Sequence, residues 1–250
     1  MASPALPLLL LEQDDLMLVI FGFLDFPCLI RIQRVCSYWK RMIHSRVVPG
    51  MVGNQKFQTR EELCHKIQQY SNYKLRYADT LARTYGWPIG KWNVSQITSF
   101  ESAFNYRCTF NEDISEWDIS NATNLSYMFH RASSFHQNLS KWNTSKVTNM
   151  ASMFLHAKSF NGDISTWDTS KVTNMAGMFL HAKSFNRDIS TWDTSHVVAM
   201  DQMFRNATSF HQDISSWNVT NVRPSTFRLF WMFDGATSFD EEKHSPRFSF

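Results

Sequence analysis

Six tryptophans stand 25 residues apart, at Trp92, Trp117, Trp142, Trp167, Trp192 and Trp217. A fixed period of this length over more than half of a chain means one structural unit copied end to end. Such units bury a continuous core only by stacking on one another, and the stack usually works by offering a long surface instead of a single enclosed pocket. The period therefore predicts the kind of object the chain builds before it says anything about what the object binds.

With each Trp counted as position 0, the apolar columns read directly from the chain. Position +5 is Ile97, Ala122, Val147, Val172 and Val197, and +8 is Phe100, Leu125, Met150, Met175 and Met200. Two phenylalanine columns follow, at +12 (Phe104, Phe129, Phe154, Phe179, Phe204) and +18 (Phe110, Phe135, Phe160, Phe185, Phe210). Position +22 is Ile or Leu, and +15 is Ala in every unit but the first, which has Arg107. Spacing of +8, +11, +12 and +15 is the i, i+3, i+4, i+7 pattern of a short helix. The stretch from +22 through the Trp to +6 is rich in Ile, Val, Thr and Trp, which favours a short extended segment. Polar columns recur as well: Asp or Asn at +21 and Ser at +23. Short polar side chains at fixed register tie off turn backbone, and the glycines expected of calcium-binding turns are missing.

Two regions precede the array. In residues 11–45, Leu16, Ile20, Phe23 and Leu24 share a helical face, Asp25-Phe26-Pro27 breaks it, and two further short stripes follow. Three helices in so few residues bury little core alone, so this unit should lean on a partner. Residues 46–60, with Pro49, Gly50 and Gly53, read as a linker. Thr59 and Glu62 then form a T-x-x-E capping box, and Leu63, Ile67 and Tyr70 follow on one face. Residues 61–90 sit where a stack needs a cap, residues 91–240 hold the repeats and 241–250 a charged tail. After Trp217 the pattern slips: Met232-Phe233 arrive four residues late.

Charge and cysteine usage narrow the function classes. The net charge is only +3, but residues 31–91 carry twelve Lys/Arg against three acids. A solvated helical face explains that better than nucleic acid does, and no nucleic-acid partner is expected. Cys28, Cys36, Cys64 and Cys108 fit no zinc pattern and none recurs at the repeat period, which points to reduced thiols and an intracellular protein, cytoplasmic or nuclear. The N-terminus lacks the basic region and cleavage site of a signal peptide, and no stretch is long and apolar enough for a membrane span. Cys64-His65 are helix neighbours that point apart, and His156 and His181 share +14 with no third ligand in register. With no nucleotide loop, metal cluster or triad in view, the expectation is a non-enzyme with no cofactor and no metal.

The repeat pattern W-[ND]-x-S-x-V-T-N-M-x-x-M-F-x-x-A-x-x-F-N-x-D-I-S, entered through YGWPIGKWNVSQITSF, resembles the BspA-like leucine-rich-repeat family. Residues 14–45 resemble an F-box, through Leu16, Ile20, Phe23, Leu24, Leu29, Val35, Cys36 and Trp39. That motif's usual Leu-Pro before the first helix is replaced here by Glu12 and Gln13. Together the resemblances imply an α+β repeat fold: a small N-terminal three-helix F-box unit followed by a leucine-rich-repeat-like solenoid with short strands and short helices. They imply a substrate receptor of an SCF-type cullin–RING ubiquitin ligase, which docks on a Skp-type adaptor through Leu16, Ile20, Phe23, Leu24, Leu29, Val35 and Trp39. The repeats would capture an unknown protein substrate. Around the inward +5 column, the outward neighbours at +4 and +6 are the candidate substrate surface: Lys146, Thr148, Lys171, Thr173 and His196, with Val198 beside them. The competing expectation is a surface or secreted adhesion-type repeat protein in which residues 11–45 are only a helical cap; N-x-[ST] sequons such as those at Asn138 and Asn143 would then matter.

Overall fold

Each coil lies on the next in register, displaced by one repeat, so that every column of the sequence becomes a ladder in space. The computed structural model describes residues 53, 55–72, 80–81, 83–86, 88–223 and 231–247, all in the second of two units, Met51–Phe250. The expected three-helix unit at 11–45 lies outside the described residues.

The tryptophan column shows why the period is so strict. Each indole is buried, and from Trp117 onward its Nε1–H donates to the backbone carbonyl 28 residues earlier, a +22 position for Trp142 and those after it: Trp142 to Ile114 O at 3.1 Å, Trp167 to Leu139 O at 2.9 Å and Trp192 to Ile164 O at 3.2 Å. Successive indoles from Trp142 to Trp217 lie parallel at 6.3 Å. Both phenylalanine columns stack too, within a coil (Phe154 on Phe160, 3.7 Å) and between coils (Phe129 on Phe154, 5.5 Å). Burying one such side chain is worth roughly 1.5–3 kcal/mol, so several per coil make the stack the stable unit.

The backbone between the ladders is not what the spacing suggested. From +8 to +15 there is no helix; the chain runs through successive turns with left-handed residues at +10 and +14. Ser152 (φ 54°) and His156 (φ 58°) hold these places in one coil, and Gly177 (φ 62°) and His181 (φ 60°) in the next. Amides at odd positions close turns three residues back, as Met153 N to Met150 O (3.2 Å) and Ala157 N to Phe154 O (2.9 Å). Amides at even positions donate to the following coil: Met150 N to Asn174 O, Ser152 N to Ala176 O, Phe154 N to Met178 O and His156 N to Leu180 O. A left-handed third residue is what a type II turn requires. The four apolar residues still face inward, which is why the pattern imitates a helix.

The expected strand shrinks for a related reason. Side-chain oxygens of Asx residues take amides two places on, at +1 (Asp168 from Ser170, 3.0 Å), +7 (Asn149 from Ala151, 3.0 Å) and +21 (Asp163 from Ser165, 3.0 Å). Amides captured this way cannot join a ladder. What remains is one parallel bridge per coil at +7, running Ser99, Asn124, Asn149, Asn174 and Ala199.

Both ends are covered. Helix α1 (Arg60–Asn72) is capped by Thr59 Oγ1, which accepts from Glu62 N at 3.1 Å, while the Glu62 carboxylate takes Gln58 N at 3.1 Å. Leu63, Ile67 and Tyr70 of α1 are buried, and Tyr70 meets Trp92 edge-on at 5.7 Å. Phe57, within the stretch expected as linker, is buried and stacks on Tyr85 at 4.3 Å, and Lys56 bridges Asn93. Gly86, at φ 95°, turns the chain so that its carbonyl accepts from the Trp92 indole at 3.0 Å. Arg60 Nη2 donates to Glu101 O at 2.8 Å, serving a +9 carbonyl that has no preceding coil to donate to it. At the other end Phe233 and Phe239 rejoin the two phenylalanine columns after the slip, stacking on Phe204 and Phe210 at 5.8 and 5.5 Å. The short helix α2 (Glu241–His244), capped by Asp240, brings His244 O to within 3.1 Å of Ile214 N.

Two substitutions test this scheme by urea denaturation. Trp167→Phe keeps an aromatic ring but removes one of the two donors to the buried Leu139 carbonyl, leaving Trp142 N at 3.0 Å, and should lower the unfolding free energy by about 0.5–1.5 kcal/mol. Ser152→Gly relieves a left-handed residue in a column where the next coil already has Gly177, and should raise it by about 0.5–1 kcal/mol.

Candidate interaction surface

The candidate substrate residues flank the buried +5 valines, and Lys146, Thr148, Lys171, Thr173, His196 and Val198 are all exposed. Their hydrogen bonds show how much of each is free to meet a partner. The threonine hydroxyls donate back one coil, Thr148 Oγ1 to Thr123 O and Thr173 Oγ1 to Thr148 O, both at 3.2 Å. Lys146 Nζ donates to Asn121 Oδ1 at 2.7 Å, and His196 Nδ1 lies 3.2 Å from Ser195 Oγ. Lys171 stands near the carboxylate of Asp168, whose proton affinity is lowered first by Ser170 and further by that lysine. This face is a row of exposed threonines and lysines in which the threonine hydroxyls are already satisfied.

A second surface escapes the sequence reading. The turns at +10 to +14 carry Tyr106, Tyr127, His130, Arg131, His156, His181 and Arg205. Tyr106 is 57% exposed and Tyr127 40%. Arg131 lies over the Tyr106 ring at 5.1 Å, and His130 meets both tyrosines edge-on. His156 and His181 stack face to face at 4.3 Å with only 5° between their planes. At the C-terminal end Arg205 covers the exposed Trp231 at 4.9 Å and holds Asp234 Oδ2 at 2.9 Å. The signal that could have found this ridge is variability: outside the Leu-His pair shared by two central coils, +13 and +14 change from coil to coil while the columns around them repeat.

Electrostatics differ between the polar columns. The +1 and +21 aspartates, including Asp113, Asp163, Asp188 and Asp193, are all held below the ordinary carboxylate value by hydrogen bonds from the following Ser. The histidines are lowered too, which for a base favours the neutral form. Burial, then His181 and Arg131, push His156 down to about 4, and His181 and His130 are also lowered, by burial first and by arginines next.

Elsewhere the chemistry is sparse. A cleft of about 350 Å³ is lined by Tyr70, Tyr106, Arg107, Cys108, Phe110 and Glu112 among others. Cys64 is half-buried and burial raises its thiol, while His65 turns to Gln69 at 3.1 Å, so the adjacent pair does not act together. Among the described residues no group of three His, Cys, Asp or Glu is placed to hold a metal ion, and no helix is long and apolar enough to cross a membrane. The expected adaptor residues Leu16, Ile20, Phe23, Leu24, Leu29, Val35 and Trp39 lie outside the described residues.

Two family models match the chain. One, described as a Mycoplasma protein of unknown function, DUF285, matches residues 72–183 and again 162–248. The other, F-box-like, matches residues 14–48. Neither a curated protein nor a solved structure matches it.

The histidine ladder sets an acid limit. A base whose folded value lies below its unfolded value of 6.5 takes up its proton more readily once unfolded. Stability should therefore fall as pH drops from 6.5 towards the value of about 4 held by His156. The aspartates act only later, below their ordinary value of 3.8. His156→Asn with His181→Asn, which copies Asn206 in the same column (φ 57°), should remove about 1 kcal/mol of the loss between neutral pH and pH ~5 after solvent screening. Urea titrations of both proteins at the two pH values measure it; an equal loss in both would assign the acid sensitivity elsewhere.

Proposed function

Because the chain belongs to the family described as Mycoplasma protein of unknown function, DUF285, and carries an F-box-like segment at residues 14–48, we propose that it is a non-catalytic substrate receptor of an SCF-type cullin–RING ubiquitin ligase. The observation that carries this reading is the F-box-like match itself, which contains Leu16, Ile20, Phe23, Leu24, Leu29, Val35 and Trp39. These residues dock on a Skp-type adaptor by burying apolar faces that so short a helical unit cannot cover alone. The stacked coils, a leucine-rich-repeat-like solenoid, then hold a protein substrate, with Lys146, Thr148, Lys171, Thr173 and His196 on the contact face. The chain does no chemistry and needs no cofactor; holding the substrate beside the ligase raises its effective concentration there. The reading places the protein in the cytoplasm or nucleus.

Capture of the purified full-length chain by a eukaryotic Skp-type adaptor tests it. Saturable binding is expected, and Leu24→Ala combined with Trp39→Ala should abolish it while the urea unfolding of the coils stays unchanged. Binding that survives in the double variant, or that is absent in the intact and folded protein, overturns the proposal.

A further inference from the structure

Charge is segregated within the central coils. Between residues 117 and 191 the carboxylates are Asp118, Asp163, Asp168 and Asp188, all at +1 or +21. The turn-ridge segments 125–135, 150–160 and 175–185 contain no acid at all, yet they carry Arg131, Lys158 and Lys183 beside His130, His156 and His181. These groups lie close enough to act on one another. Lys158 disfavours the charged forms of both His156 and His181, Lys183 that of His181, and Arg131 that of His130 and His156. Among the acting charges on these three histidines there is no carboxylate. Lys158 and Lys183 are exposed, and neither ammonium has an ionic or hydrogen-bonding partner among the described residues.

The ridge is also partly apolar. Tyr127 is exposed, and Leu155 and Leu180 are half-buried at the +13 position between the cations. Tyrosine and arginine are the residue types that most often dominate protein contacts, and uncompensated charge along a row selects a partner of opposite sign. Here the row repeats once per coil, so its complement is a segment lying along several coils.

We propose that the turn ridge over residues 125–185 is a docking surface for an acidic peptide segment of a partner protein, one in which aspartates or glutamates alternate with apolar residues. The carboxylates meet Arg131, Lys158 and Lys183, and the apolar side chains meet Tyr127, Leu155 and Leu180. A single-stranded nucleic acid fits less well, because it needs free ring faces for its bases. Here His156 and His181 cover one another, and Arg131 covers a face of Tyr106. The surface is distinct from the +4 and +6 columns and needs no adaptor, so its success or failure is separate from that of the ubiquitin-ligase reading.

Fluorescence anisotropy of the full-length chain tests this with three labelled probes: a peptide of alternating Glu and Leu, its Lys and Leu counterpart, and oligothymidine. Saturable, salt-sensitive binding of the acidic peptide alone is expected. Lys158→Glu with Lys183→Glu should weaken it by about tenfold or more, the scale of desolvated charge pairs at interfaces. Lys56→Glu, an exposed site in the segment before α1 and outside both surfaces, should leave it unchanged, and both variants should keep the parent's unfolding midpoint. If the acidic peptide fails to bind, or binds the double variant as well as the parent, the assignment is wrong; tighter binding of oligothymidine would give the ridge to nucleic acid instead.

Discussion

From Trp117 onward each coil depends on an indole N–H that reaches back 28 residues to a buried backbone carbonyl. Few side chains can fill so large a core volume and still carry a donor at the far edge. Phenylalanine would leave the carbonyl with only its turn donor, the backbone N–H three residues on, and lose one buried hydrogen bond. The contact also measures distance, since a coil one residue longer or shorter would move the ring off its acceptor. The regular period is in this sense a geometric demand of one hydrogen bond repeated through the core, and the phenylalanine ladders run beside the indole ladder with the same repeat.

Polar columns complete the same design from the outside. Asx side chains at +1, +7 and +21 satisfy amides that face no neighbour, so the coil needs neither a full strand nor a helix to pair its backbone. That leaves tight turns, which take less chain than a helix would to cross the same face. It also pushes ordinary residues into left-handed conformations that usually go to glycine. In this chain Ser152, His156 and Arg131 occupy such positions, held there by the hydrogen bonds of coils on either side.

The columns were legible in the sequence because core contacts repeat with the period, and all the singled-out positions at +5, +8, +12, +18 and +22 in the central coils are buried. The local backbone was not. Spacing of i, i+3, i+4 and i+7 describes which residues face inward, and both a helix and a chain of turns meet it. Gly177 and Asn206 were the residues whose chemistry hinted at left-handed geometry; Ser152, His156 and Arg131 concealed it. The exposed ridge was hidden for another reason. Repeats draw attention to what stays constant, whereas Tyr127, His130 and Arg131 stand out only as departures, and their mutual packing is a property of neighbouring coils. The surface at Lys146, Lys171 and His196 was reachable because a buried column fixes the direction of its two neighbours.

The even-numbered amides of the turn ridge have a consequence for how the array can begin, end and meet its own copies. From +8 to +14 such donors point forward in all four coils from Trp92 to Trp167, so the start of the array shows this edge as acceptors and its finish shows it as donors. The two edges therefore need opposite chemistry: a guanidinium, Arg60, serves Glu101 at the start, while carbonyls, those of Met232 and Asp234, serve Phe204 and Asn206 at the finish. The array has a direction, like a magnet with unlike poles. Two copies brought start to start would set acceptor against acceptor, so the ridge edges oppose like-ended pairing even if both caps were stripped away.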